Sequence, residues 1–350
     1  RVPESGKTSF DDQVFGPIEI VNHDIEDFVL LRSDGNPAYH LGVVADDLDM
    51  RVTHVVRGAD HISNTPKQIL MYQALGAAVP IFAHLPLILG PDKQRLSKRH
   101  GATSVEAYGE QGILPEALVN FLALLGWTPP GGKEIVPIEE MVNSFELTAA
   151  SKSNAVFDPE KLAWMNCEYL RALPAEQLLP LVEEELRGAG LLAARNPEPG
   201  IGIQNSEFGI QNEERQRFEA SVRLLQSRAR TVKDFSGAFR AFFSDAFDYD
   251  PEAVKKFCKD ASLPSLLDAL AERLSRIEPF DVQETEKALR GLAEEKGVKA
   301  GLLINAARVA LTGQGVAPGL FDVMVVLGRD RVVARLLKAA EYLRGVTCDQ

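Results

Sequence analysis

Between Val52 and Gly76 the chain carries a segment that can be built in few ways. Val52-Thr53-His54-Val55-Val56-Arg57 has β-branched residues at strand length. Thr65-Pro66 then offers an N-cap and a first-turn proline, Ile69, Leu70 and Gln73 follow at helical spacing, and Gly76 closes the helix. Strand, loop and helix in that order form the unit of an open α/β sheet, in which ligands bind just past the carboxyl ends of the strands. Arg57 to His61 fall at that place. Upstream, Val29-Leu30-Leu31-Arg32 reads as a second core strand, and Ser33-Asp34-Gly35-Asn36-Pro37 supplies turn chemistry between the two.

A chain of 350 residues exceeds one ordinary core and is expected to divide into two or more domains. After Gly101 the pattern becomes helical. Pro115 to Leu125 is apolar on one face, Trp127-Thr128-Pro129-Pro130-Gly131-Gly132 is a break, and from about Lys161 onward nearly everything reads as helix. Gly-Ile-Gln-Asn occurs twice, at 202–205 and 209–212, which reads as a low-complexity insertion (196–214) and not as a repeat of solenoid period. The final helix, Asp330 to Leu343, is expected to bury Val333, Leu336, Leu337 and Ala340, with Arg331, Arg335 and Lys338 elsewhere.

Lys and Arg total 38 against 50 Asp and Glu, a net charge of -12, so any nucleic-acid partner must be met by local patches. Cys167, Cys258 and Cys348 have no metal-ligand spacing and leave an odd count, which argues against a zinc site or a disulfide framework and fits a reducing cytoplasm. No apolar run approaches the ~20 residues needed to span a bilayer. One basic cluster stands out of this acidic background. Lys93, Arg95, Lys98 and Arg99 lie beside Gly90, Pro91 and Gly101, after the apolar run Phe82 to Leu89. Such a loop can clamp polyphosphate, because phosphoryl and nucleotidyl transfer depend on positioning and on neutralising developing charge. The competing reading is a solvated basic turn.

Arg95-Leu96-Ser97-Lys98-Arg99 resembles the KMSKS motif of class I aminoacyl-tRNA synthetases, with Arg95 in place of the first Lys. Tyr39-His40-Leu41-Gly42-Val43-Val44-Ala45-Asp46-Asp47 and the stretch from Val55 to Gln68 are similar to the glutamate-binding and second-half Rossmann segments of bacterial glutamyl-tRNA synthetases. Val156 to Asn166, Glu294 to Lys299, Leu311-Thr312-Gly313 and Leu327-Gly328 extend the resemblance almost to the C-terminus. The fold it implies is α/β plus all-α: the second half of a class I Rossmann catalytic domain with the tail of the acceptor-binding insertion (1–103), a stem-contact helical region (104–165), and an α-helical anticodon-binding domain (166–350). Bacterial glutaminyl enzymes carry β-barrels in the last position, so a helical half supports glutamate specificity.

The activity implied is a glutamate–tRNA ligase: glutamate is activated by ATP, with Mg2+, and transferred to tRNA(Glu). Family members open with a half bearing a HIGH motif. None of the six histidines, His23, His40, His54, His61, His84 and His100, sits in a His-x-Gly-His pattern, and the chain opens at Arg1, so a fragment of a longer enzyme is expected. The alternative is a tRNA-binding module without adenylation activity. A monomeric, soluble, cytoplasmic protein is expected, with no membrane partner and no resident metal.

Residue by residue, the resemblance assigns Lys98 to the triphosphate in the adenylation transition state, with Arg95 and Arg99 assisting. Tyr39 and Arg57 match the positions that hold glutamate; Arg can pair a carboxylate bidentately and Tyr can donate a hydroxyl, which is what telling glutamate from its amide requires. The competing role for Arg57 is a structural ion pair with Asp60, and for Tyr39 a partly buried aromatic beside Pro37. Leu87 and Ile88 align with the segment whose backbone meets adenine, their side chains reading as core, and Asp60 and His61 complete the ATP-binding set. Ala59 departs from the family's Arg-Gly-Glu-Asp-His, which puts any polar contact at that position in doubt. Arg228 aligns loosely with an arginine that reads the anticodon, or is an ordinary helix-surface arginine. Asp46-Asp47 is read as structural, since neighbouring side chains point apart. Gly6-Lys7-Thr8 is rejected as a P-loop, because the glycine it requires would be Arg1.

Overall fold

The computed structural model describes residues 1–97, 99, 104–192 and 208–348. The chain divides into two compact units, Arg1–Asn166 and Cys167–Gln350. In the first, β1 (Lys7–Asp12) and β2 (Gly16–Val21) form an antiparallel hairpin, and α1 (Tyr39–Asp49) follows. Then come β3 (His54–Gly58), a 3-10 turn over Ala59–Asn64, α2 (Thr65–Ala74) and β4 (Ile81–Leu85). Strands β3 and β4 pair in parallel, His54 opposite Ile81 through Gly58 opposite Leu85, so β3, α2 and β4 make the expected crossover unit. Its core is Val44, Ile69, Met71, Tyr72 and Phe82, against which Phe10, Phe28, Leu41, Leu48 and Val55 pack. Gly76, at φ 66°, ends the α2 segment in the left-handed conformation its type favours.

The rest of this unit is β5 (Ile88–Leu89), α3 (Val105–Glu110), α4 (Pro115–Gly126), α5 (Ile138–Ser144) and β6 (Ala155–Val156), and then α6 (Pro159–Ala172), which contains the division point. Strands β5 and β6 pair in parallel. Two buried amides pin the loops here: Asn120 accepts from the Val136 amide at 2.9 Å, and Asn166 from the Leu114 amide at 2.8 Å. Both replace hydrogen bonds that buried backbone cannot get from water.

Three expectations need correction. Val29 to Arg32 is no strand: Val29 is 66% and Leu31 58% exposed, and among the described residues its backbone pairs within its own turn, through a bridge from Leu31 to Pro37 and an Ala38 amide bond to Leu30 at 2.8 Å. Apolar composition cannot make a strand without a partner edge, and Pro37 has no N–H to offer. Val52 is likewise outside β3, its amide closing the end of α1 on the Asp47 carbonyl at 2.8 Å. Thr65 begins α2 but does not cap it; its hydroxyl is turned to Arg57 and His61.

The second unit is helical: α7 (Ala175–Gly188), α8 (Phe208–Gln226), α9 (Pro251–Phe257), α10 (Leu263–Ser275), α11 (Val282–Glu295), α12 (Ala300–Thr312), α13 (Leu320–Leu327) and α14 (Arg329–Cys348). Leu263, Leu267, Leu270 and Leu274 give α10 a fully buried stripe that lies along α14. Gly313 closes α12 at φ 72°, where a Cβ would run into the Asp248 carbonyl oxygen. Most of the 196–214 insertion lies outside the described residues.

The fourth correction concerns α14. Leu337, expected inside, is 46% exposed, and Arg335, expected outside, is 4% exposed. Arg335 is satisfied there: it donates to the Leu311 carbonyl at 2.7 Å, the Ser244 carbonyl at 3.1 Å and Asp245 at 2.6 Å, with its guanidinium 4.8 Å from the Phe247 ring centroid. A buried charge holds only when paired and hydrogen-bonded. Asp245→Ala should therefore lower the unfolding free energy by roughly 1–3 kcal/mol. Urea titration of the two proteins measures it, and an unmoved midpoint would mean that the carbonyls alone hold the guanidinium.

Candidate functional site

The carboxyl end of β3 delivers Arg57, and the neighbouring elements supply its partners. Its Nε donates to His84 Nε2 at 3.1 Å, across the β3–β4 pair, and an Nη donates to Thr65 Oγ1 at 2.7 Å, at the start of α2. The guanidinium lies 5.5 Å from the Phe82 ring centroid. Burial pulls Arg57 below its ordinary value, opposed by nearby Tyr39, Asp47, Tyr72 and Asp60, and it stays a cation. The expected competitor, an Arg57–Asp60 ion pair, does not form: Asp60 pairs with Arg95 at 3.1 Å.

That pair fastens the start of the basic loop beside the 3-10 turn. The loop is built on a tight turn: the Gly90 amide donates to the Gln94 carbonyl at 2.7 Å, Lys93 sits at φ 61°, and the Gln94 amide donates to Asp92 at 2.9 Å. The Leu96 amide returns to the Ile88 carbonyl at 3.0 Å, and Arg95 bridges Leu89. Arg99 lies 3.8 Å from Asp92. Lys98 lies outside the described residues. Leu87 and Ile88 are half-buried and not core, and the Leu87 backbone is engaged on both sides, its amide by Asn154 at 2.9 Å and its carbonyl by the Ala155 amide at 3.3 Å.

Tyr39, the first residue of α1, is 50% exposed, more open than a partly buried aromatic. Its hydroxyl is 3.2 Å from His61 Nδ1, which Asn64 Nδ2 also reaches at 3.1 Å. Tyr39, Arg57, Asp60, His61 and Arg95 thus gather along one edge. Asp47 accepts from Tyr72 at 3.0 Å; burial and that contact push the Tyr72 hydroxyl well up from its ordinary value. Arg228, in the second unit, is exposed in the turn after α8 and not on the helix itself.

Sequence reasoning missed Asp12, Asn64, Thr65 and His84 as parts of this site. His84 is completely buried and Asp12 is 3% exposed, with His84 Nδ1 2.6 Å from Asp12 Oδ2. A signal existed: His84 is the one polar side chain in the apolar run Phe82 to Leu89. Asp12, 72 residues away, is joined to it only by the folded hairpin.

The class I tRNA synthetase family for glutamate and glutamine matches residues 1–164 with its catalytic domain, and an anticodon-binding domain matches 175–340. The two units therefore carry the catalytic and anticodon domains of a class I aminoacyl-tRNA synthetase. Glutamate–tRNA ligase 2 of Koribacter versatilis (strain Ellin345) is 58% identical over 341 residues, covering 97% of this chain and 68% of that protein. The glutamate–tRNA ligase of Moorella thermoacetica is 40% identical over 98% of this chain and 67% of its own length. Among solved structures, a glutamate–tRNA ligase from Elizabethkingia meningosepticum in complex with its amino acid aligns at a TM-score of 0.78 and 30% identity, over 98% of this chain and 68% of that one. The chain belongs to the glutamate–tRNA ligase family, and it spans about two thirds of the length of these relatives.

The buried pair generates a pH prediction. Burial lowers His84 below its ordinary 6.5, with Asp12 opposing and Arg57 reinforcing the shift. Burial raises Asp12, but the Phe15, His84 and Val14 hydrogen bonds outweigh it and hold the carboxyl below its ordinary 3.8. Both groups bind protons less readily folded than unfolded, so the stability they contribute is complete above the unfolded values and is lost as pH falls through the folded ones. The urea midpoint should decline as pH drops below about 6.5, first through His84 and then, below about 4, through Asp12. A midpoint flat from pH 7 to pH 3 would contradict this.

Proposed function

We propose that Arg57 and Tyr39 hold the glutamate substrate, Arg57 by charge-assisted hydrogen bonding to its side-chain carboxylate and Tyr39 through its hydroxyl. The observation that carries the reading is an arginine on its family position at a strand's carboxyl end, fixed from behind by His84 and Thr65, with its second Nη unbonded among the described residues. The chain acts as an ATP-dependent glutamate–tRNA ligase. The glutamate α-carboxylate attacks the α-phosphorus of ATP and pyrophosphate leaves; a hydroxyl of the tRNA terminal ribose then attacks the adenylate carbonyl, the acyl–phosphate bond breaks and AMP leaves. No protein nucleophile is needed.

In this reading Lys98, with Arg95 and Arg99, neutralises charge on the departing pyrophosphate. Asp60, His61 and the backbone at Leu87 and Ile88 border ATP, and Asp60 sets Arg95 in place. Among the described residues no group of three or more His, Cys, Asp or Glu is arranged to hold a metal. Mg2+ arrives with ATP, held by its phosphates and water. Residues 1–103 serve catalysis, 104–165 contact the acceptor stem, and 166–350 bind the anticodon arm of tRNA(Glu), where Arg228 touches RNA. The described helices include none long and apolar enough to cross a membrane; the ligase works as a monomer in the cytoplasm.

Arg57→Ala in the full-length protein should raise the KM for glutamate roughly 10- to 100-fold with little change in that for ATP, as expected for losing hydrogen bonds to a charged group. An unchanged glutamate KM in ATP–pyrophosphate exchange would remove Arg57 from the site. Lys98→Ala should instead depress the rate of adenylate formation while leaving tRNA affinity alone, because its charge is used mainly in the transition state. Single-turnover adenylation and a tRNA-binding titration separate the two effects.

A further inference from the structure

Arg57 can only donate hydrogen bonds. Its Nε lies 3.1 Å from His84 Nε2, so that ring nitrogen must present a lone pair. The imidazole proton is then on Nδ1, aimed at Asp12 Oδ2 at 2.6 Å. The other Asp12 oxygen is held by three backbone amides, Phe15 at 2.9 Å, Val14 at 3.0 Å and His84 at 3.3 Å. Those donors keep the carboxylate ionised and stop it from turning. Thr65 Oγ1 accepts from the Arg57 Nη at 2.7 Å and is 3.2 Å from the His61 carbonyl, which can take its proton. Asp12, His84 and Thr65 are all buried, which shields these bonds from bulk water.

We infer that Asp12 and His84 are positioning residues for glutamate recognition: Asp12 fixes the tautomer of His84, and His84 holds the Arg57 guanidinium so that its free Nη faces the substrate carboxylate. This rests on the reading of Arg57 as the glutamate-binding arginine. The arrangement follows the logic by which a buried aspartate sets a histidine tautomer in hydrolase triads, here applied to a binding arginine and not to a nucleophile.

The consequence is a specific sensitivity. In Asp12→Asn the amide oxygen must stay on the Val14 and Phe15 amides, so the NH2 turns toward His84 Nδ1 and donates to it. The imidazole proton moves to Nε2, where it opposes Arg57 Nε–H, donor against donor. In His84→Gln the side-chain oxygen reaches the place of Nε2 and still accepts from Arg57, whereas His84→Leu offers no acceptor. Acid has the same effect as Asp12→Asn, because a protonated His84 carries hydrogen on both nitrogens. The charged and titratable groups facing that ring are Asp12 from β1, Arg57 from β3 and His61 from the 3-10 turn.

The test is ATP–pyrophosphate exchange by the full-length protein, with KM for glutamate and for ATP measured separately alongside thermal unfolding. Asp12→Asn and His84→Leu should each raise the glutamate KM roughly ten-fold or more with the ATP KM within about two-fold, and His84→Gln should stay within about three-fold of wild type. The wild-type glutamate KM should also climb once pH falls far enough below 6.5 to protonate His84, and in His84→Gln it should stay level. A glutamate KM unmoved by Asp12→Asn, in a protein where Arg57→Ala does raise it, would overturn the inference. An Arg57→Ala protein with an unchanged glutamate KM would instead overturn the underlying assignment of Arg57. Should Asp12→Asn or His84→Leu fail to fold, the pH profile decides: an acid limb that survives in His84→Gln would sink the role of His84.

Discussion

A histidine with no exposed surface must satisfy both ring nitrogens from inside the protein, and this requirement organises the first unit. His84 on β4 meets it with Asp12 at the end of the hairpin on one side, and with Arg57 on β3 and Thr65 on α2 on the other. Four elements that share little sequence proximity are brought into one register by that ring. The parallel pairing of β3 with β4 places Arg57 opposite His84, and a slip of one residue would put the two side chains on opposite faces. Arg57 is thereby held by strand pairing as well as by its own hydrogen bonds.

The parts of this design legible in the sequence are those encoded locally. The strand ending at Arg57, the helix opening at Thr65-Pro66 and closing at Gly76, and the break after α4 all follow from propensity and turn chemistry. The arms of the proposed site could be nominated from sequence because Arg57, Tyr39 and the basic loop sit in contiguous motifs. Its support was not. Asp12 lies in a segment whose hairpin was not anticipated, and nothing near it in sequence says that its carboxylate faces a histidine 72 residues on. Thr65 shows the same limit from the other direction: a helix-start threonine invites a capping role, and only the folded position of Arg57 reveals the stronger claim on its hydroxyl. The apolar Val29–Arg32 run failed as a strand for a related reason, since a ladder partner is a tertiary fact.

In the second unit the misassigned residue was Arg335, and the cause is instructive. Helical periodicity sorts residues by polarity, so a cation is placed outside by default. Arg335 is inside because Leu311, Ser244 and Asp245 offer acceptors and Phe247 a ring face, none of which periodicity can see. Asp245 is held below its ordinary range because Arg335, Arg331 and Lys338 together outweigh the burial that would raise it. Arg331 lies 3.7 Å from the same carboxylate, which turns a cation expected to be free toward the protein.

That reassignment bears on how a chain with a net charge of -12 could hold a polyanion. Cations already paired at short range have less to give, since an RNA phosphate must displace a carboxylate before a counterion is released. Lys233 is engaged by Glu185 at 2.9 Å, and Arg215 by Glu219 at 2.9 Å. Arg228 differs: it is exposed, lies in a turn just past α8, and makes no ion pair among the described residues. In an acidic domain the cations left unpaired define where RNA can lie, so the proposed anticodon surface is set as much by the carboxylates that neutralise Lys233, Arg215 and Arg331 as by Arg228 itself.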